Sequence, residues 1–115
     1  MKLEGENILL RIFINVFQKW HHYPAYEAIV QMAHKAHMAG ATVLEGLEGF
    51  GQNGVILKEK AWRIANDREV IVEIVDTKEK IDSFLTLIEP MLQDAIVTLE
   101  RACVIYYRRP ENTRS

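Results

Sequence analysis

Cysteine is nearly absent. Cys103 is the one cysteine in 115 residues, so the chain cannot close an internal disulfide, and without a Cys-x-x-Cys pair or Cys/His finger spacing it encodes no zinc finger or ribbon. This usage fits a reducing cytoplasm, where the protein is expected to work. Long apolar runs are missing as well: none approaches the roughly 20 residues of a membrane-spanning helix, and Met1 to Glu6 lacks the apolar stretch of a signal peptide. Membrane insertion and export are therefore not expected. Nor is there an excess of positive charge. Lys and Arg number 14 against 16 Asp and Glu, a formal net charge of −2, which leaves no general field to attract nucleic acid or anionic lipid. Glycine and proline number 6 and 3 and stand as isolated punctuation, so no linker, repeat or low-complexity segment divides the chain. What remains is a single domain, 49% hydrophobic. It can bury about two thirds of its unfolded surface but is too small to wall in a deep pocket alone.

Hydrophobic periodicity places the elements. From Ile8 to Phe17, residues Ile8, Leu10, Ile12, Ile14 and Val16 alternate onto one face, and Leu9, Arg11, Phe13, Asn15 and Phe17 onto the other. That pattern predicts a strand with one fully apolar side. After the polar aromatic link Lys19 to Tyr23, Pro24 can open a helix, because its missing N–H belongs to the unpaired first turn. Tyr26, Ile29, Val30, Ala33 and Ala36 then recur at helical spacing up to Gly40, a natural helix stop. Ala41 to Gly46 reads as a second strand and Glu69 to Val75, again alternating, as a third. Asp76-x-x-Glu79 has the form of a capping box. It precedes Ile81, Phe84, Leu85, Ile88, Met91 and Leu92, the clearest amphipathic helix. Pro90 shortens its last turn, and Ile96 to Tyr107, rich in β-branched residues and tyrosine, is the fourth strand.

The order β-α-β-β-α-β is the ferredoxin-like, split βαβ plan of an α+β sandwich, with four antiparallel strands, both helices on one face and a long loop between strands two and three. Its other face would be open, exposing Leu9, Phe13, Phe17, Ile71 and Val75, too much contiguous apolar surface for a comfortable monomer. Oligomerisation through that face is expected, at Leu9, Arg11, Phe13, Ile71 and Glu73. Arg11 and Glu73 lie on neighbouring central strands and are expected to pair.

The densest chemical signal is Gly40-Ala41-Thr42-Val43-Leu44-Glu45-Gly46-Leu47-Glu48-Gly49-Phe50-Gly51-Gln52-Asn53-Gly54. Glycine backbone can cradle phosphate oxygens, but this run is neither a Walker A loop nor a Rossmann turn, and its spacing alone favours turns and a bulge. Gly-Ala-Thr-Val with a following Gly-Phe-Gly resembles the segment that leads into the T-loop of the nitrogen regulatory protein PII. More specifically, six blocks in order over residues 8 to 107 resemble the PII-like family called domain of unknown function 190, also UPF0166. They are Leu9-Leu10-Arg11-Ile12, Tyr26-Glu27-Ala28-Ile29-Val30, Ala39-Gly40-Ala41-Thr42-Val43, Gly49-Phe50-Gly51, Val72-Glu73-Ile74-Val75-Asp76-Thr77 and Val97-Thr98-Leu99-Glu100.

The resemblance implies one PII-like domain over residues 1–115, with a core of about 8–107 and a tail at 108–115. It further implies a homotrimer with ligand clefts between subunits, and a regulatory protein that signals through its T-loop, here residues 52–68. By position, Thr42 would lie by the base or ribose of a nucleotide, Gly49, Phe50 and Gly51 along its phosphates, and Arg108 on a phosphate. Three departures reduce the charge of that cleft. Gln52-Asn53-Gly54 stands where PII has Arg-Gln-Lys-Gly, Leu92-Gln93-Asp94-Ala95 replaces a glycine-rich turn bearing lysine, and Tyr106 replaces the first arginine of a terminal Arg-x-Arg. Of the candidate ligands AMP, ADP and ATP, the triphosphate has fewest partners for its charge; a cyclic nucleotide or no nucleotide stays open. The loop also has no tyrosine for uridylylation.

Other constellations read more plainly. His34 and His37 are three residues apart, but no Cys or carboxylate at a familiar spacing completes a metal site, so none is expected. Trp62 suits a partner-binding anchor or equally the underside of an ordered flap, with Lys58 and Arg63 beside it as candidate partner contacts. Ser83, Ser115 and Cys103 stand by no base, so no enzyme is expected. An alternative to the sensor is a ligand-free structural module docked on a membrane transporter or another protein. In that case Trp62→Ala would abolish partner capture while Gly51→Val and Arg108→Ala would change nothing.

Overall fold

The computed structural model describes residues 3–46, 56, 58 and 68–108. Strand β1 (Gly5–Asn15) runs into a short hairpin of β2 (Lys19–Trp20) and β3 (Tyr23–Pro24), then into helix α1 (Ala25–Lys35). Strands β4 (Thr42–Glu45) and β5 (Glu69–Asp76), helix α2 (Lys78–Ile88), a 3-10 turn (Glu89–Met91) and strand β6 (Ile96–Val104) follow. The main sheet has the order β4-β5-β1-β6, with every neighbour antiparallel. This is the expected ferredoxin-like α+β arrangement, with the expected second, third and fourth strands as β4, β5 and β6.

Alternation on the central strands decides which face is covered. Leu10, Ile12 and Ile14 of β1 are fully buried, as are Val70, Val72 and Ile74 of β5 to within 3%. They meet Ala25, Ile29 and Ala33 of α1 and Ile81, Phe84 and Ile88 of α2 in one cluster. Each helix thus buries a single stripe at helical spacing and leaves the rest to solvent.

The helix ends differ from the sequence expectation. Gly40 does not stop α1, whose last turn closes at Ala36. The amide of His37 donates to the carbonyl of His34 at 3.1 Å and that of Met38 to Ala33 at 3.1 Å, and His37 adopts the left-handed φ of 59° usually left to glycine. The Lys80 ammonium donates to the His37 carbonyl, which fixes this turn against α2. Nor is Asp76 the cap of α2. Thr77 holds that position, its hydroxyl accepting from the Lys80 amide at 3.3 Å. Asp76 is fully buried and accepts from the amides of Ala39 at 2.8 Å and Thr77 at 2.8 Å. It joins the connection ahead of β4 to the start of α2.

The β2–β3 hairpin was not expected at all. Its turn, His21-His22, has φ of 49° and 75°, the backbone of a type I′ turn normally made by Asn-Gly. Two non-glycine residues there cost roughly 1–2 kcal/mol each. His22→Gly is therefore expected to raise stability by about 1 kcal/mol, read as a shift in the urea midpoint; a loss would show that the imidazole holds the turn.

Candidate functional site

The face of the sheet turned away from the helices carries Leu9, Arg11 and Phe13 of β1, and Ile71, Glu73 and Val75 of β5, all half-buried. Register sets Arg11 between Glu73 of β5 and Thr98 of β6, with Thr42 of β4 beyond Glu73. The Arg11 Nε donates to Glu73 at 2.8 Å and its Nη1 to Glu100 at 2.6 Å. The expected Arg11–Glu73 pair is therefore present, and a second carboxylate shares the guanidinium. Its pKa is raised, first by the hydrogen bond it donates to Glu73, with Glu100 adding to the effect. One cation between two anions leaves this patch with a negative excess, surrounded by Leu9, Phe13, Ile71 and the exposed Ile96.

The residues expected to bind a ligand lie apart. Thr42 is exposed on edge strand β4, whereas Arg108 is exposed beyond the end of β6 at the opposite edge. Three strand spacings, about 14 Å, separate the two edges, and Arg108 lies ten residues past Thr98, which shares the Thr42 row. A single subunit does not bring them together. Gly49, Phe50 and Gly51, and with them Trp62 and Arg63, lie outside the described residues; Lys58 is exposed. His34 and His37 are exposed, and among the described residues no group of three or more His, Cys, Asp or Glu could hold a metal.

Two features escaped the sequence reading. The strand expected to reach Tyr107 leaves the ladder after Val104, because Gly5, its partner, begins β1. Past that point the Arg108 guanidinium lies 4.6 Å over the Tyr106 ring, and Glu4 accepts from the Tyr107 amide at 2.9 Å. At the other end of the sheet, Arg68 lies 5.7 Å from the Phe17 ring centroid and 3.8 Å from Glu45. Its carbonyl accepts from the Val16 amide at 2.8 Å. The foot of the 47–67 segment is thereby joined to the end of β1. An aromatic two residues before an arginine was the available signal for the first feature; the second depends on tertiary register, which no local pattern carries.

This architecture is shared with solved structures. CPII of Thiomonas intermedia K12, a nitrogen regulatory PII-like protein bound to ADP, AMP and bicarbonate, superposes with a TM-score of 0.61 at 16% identity, over 84% of this chain and 86% of that one. The divalent cation tolerance protein Cut A1 of Thermus thermophilus gives 0.55 at 10% identity, over 90% and 87%. The fold is therefore that of the PII-like, ferredoxin-like class, which by itself assigns no activity.

Sequence goes further than fold. Residues 7–104 match DUF190, described as "Uncharacterized ACR, COG1993". A UPF0166 protein of Aquifex aeolicus (strain VF5) is 35% identical over 98 residues, 85% of this chain and 92% of its own. The UPF0166 protein MJ1524 of Methanocaldococcus jannaschii is 26% identical over 98 residues, 85% and 90%. The chain belongs to the DUF190 family.

Proposed function

We propose that this protein is a non-enzymatic PII-like sensor of the cytoplasm. In this reading its single domain assembles as a homotrimer, binds an adenine nucleotide in clefts between subunits, and signals to a protein partner through residues 52–68. The observation that carries this reading is the separation of Thr42 and Arg108 onto opposite sheet edges. Two residues that suit one ligand can meet only if the edge of one subunit faces the edge of another. The half-buried apolar face at Leu9, Phe13 and Ile71 supplies a surface for that assembly, and the adenine nucleotides on CPII suggest the ligand. Among the described residues no helix is long and apolar enough to cross a membrane. Nucleotide binding regulates the protein partner only if it favours one arrangement of the 52–68 segment over another.

Light scattering together with calorimetry against AMP, ADP and ATP tests the reading. A trimer taking up one nucleotide per subunit is expected. Arg108→Ala should weaken binding roughly 10- to 100-fold, the worth of a hydrogen bond to a charged group. A monomer, or no heat with any nucleotide, would overturn it.

A further inference from the structure

The helix layer holds a cleft of about 300 Å³ where the close of α1 meets α2. From α2 come Glu79, Lys80, Ser83, Phe84 and Leu87, one stripe at helical spacing; from the close of α1 come Ala36 and Met38. Two contacts set its width. The Lys80 ammonium donates to the His37 carbonyl, and Asp76 accepts from the Ala39 amide at 2.8 Å, so the end of α1 is fastened to the start of α2. Phe84 and Met38, 1% and 6% exposed, form an apolar floor, with Leu87, 52% exposed, at the rim. The volume is at the lower end of the roughly 300–1,000 Å³ of ligand sites, which suits a molecule of amino-acid size. The cleft is on the helix side of the sheet, whereas Thr42 shares the open-face row of Glu73 and Arg11.

Its charges are confined to one end. Glu79 and Lys80 begin the stripe, and the neighbouring Lys78 and Asp82 neutralise each other at 2.7 Å, so one anion and one cation line the cleft. An ammonium has three donors, and His37 takes one from Lys80. Phe84 follows four to five residues on, about 6–8 Å along the helix axis. A matching ligand has an ammonium for Glu79, a carboxylate for Lys80 and an apolar body of that length over Phe84 and Leu87. A fatty acid lacks the cation, an aliphatic amine lacks the anion, and the interior of a peptide has neither.

We propose that this cleft binds a free α-amino acid with an apolar side chain of the size of leucine or phenylalanine. It is a second ligand site, independent of the nucleotide reading above.

Calorimetry of the full-length protein with L-leucine, L-phenylalanine, 4-methylpentanoate and 3-methylbutylamine tests this, the last two being leucine without its ammonium and without its carboxylate. One amino acid per subunit is expected, with each truncated analogue about tenfold or more weaker, the worth of a hydrogen bond to a charged group. Glu79→Gln should weaken leucine about tenfold yet leave 4-methylpentanoate unchanged, a selectivity that a general loss of structure does not produce. Ser83→Trp, at an exposed position, should fill the cleft and abolish binding with an unchanged circular dichroism spectrum. Silence from both amino acids at millimolar concentration overturns the proposal and leaves the cleft to a partner's side chain. Equal binding of 4-methylpentanoate and leucine, or full binding by folded Ser83→Trp, overturns it as well. None of these results touches the sensor reading, which fails on a monomer or on the absence of heat with nucleotides.

Discussion

Replacing Asp76 with alanine is expected to cost the fold about 2–5 kcal/mol, more than any other single polar change described here. Both carboxylate oxygens accept backbone amides, from Ala39 and from Thr77, and the side chain is fully buried. Alanine leaves those donors without an acceptor where water does not readily replace it, and an unsatisfied buried group costs roughly 1–3 kcal/mol. Asp76→Asn should fall between. It keeps one acceptor oxygen, but its amide nitrogen then faces a second N–H donor. For a domain whose whole stability is on the order of 5–15 kcal/mol, the alanine variant should unfold at a much lower urea concentration. The slope of the transition should not change, since the surface exposed on unfolding is the same. A midpoint within the error of the wild type would show that the two amides find other partners.

The second large effect is expected on assembly. Phe13 lies on the open face between Ile71 of β5 and Ile96 of β6, with the helices on the other side of the sheet. Phe13→Glu would place a carboxylate on an apolar strip that already has Glu73 and Glu100 around a single arginine. Burying that charge unpaired between subunits costs several kcal/mol. In the proposed trimer the penalty occurs three times. The variant should run as a monomer in light scattering at micromolar concentration, with an unchanged far-ultraviolet circular dichroism spectrum because the core cluster does not include Phe13. Nucleotide binding should be lost with the trimer. A trimeric Phe13→Glu would place the subunit interface elsewhere.

The two sheet faces were legible because period-two alternation is strong wherever one side is buried. Leu10, Ile12 and Ile14 against Val70, Val72 and Ile74 followed from the pattern alone, and with them the Arg11–Glu73 pair. What the sequence concealed was chain reversal by residues other than glycine. His37 ends α1 in a left-handed conformation four residues after the last core alanine, while the glycine that suggested the stop, Gly40, lies in the connection beyond. His21 and His22 turn the hairpin in the same way. Asp76 and Thr77 are both good capping residues, and burial decided between them: the carboxylate was drawn into the interior by the amide of Ala39, a contact 37 residues away in sequence. The candidate site was less legible than the fold. Thr42 and Arg108 could be named one by one, but their placement on opposite edges depends on strand order, and the Tyr106 stack on where β1 begins.

The closure at the foot of the long connection has an evolutionary side. The Gly46 amide reaches the Glu69 carbonyl at 3.5 Å, so the chain leaves β4 and re-enters β5 at adjacent points of one ladder. The entropy lost by tethering the ends of a loop grows only logarithmically with its length, about 0.6 kcal/mol for each doubling. With the ends held by β4, β5 and the contacts of Arg68, relatives can lengthen, shorten or rewrite the intervening residues at almost no thermodynamic penalty. If residues 52–68 contact a partner, as proposed, recognition can change while the scaffold stays the same.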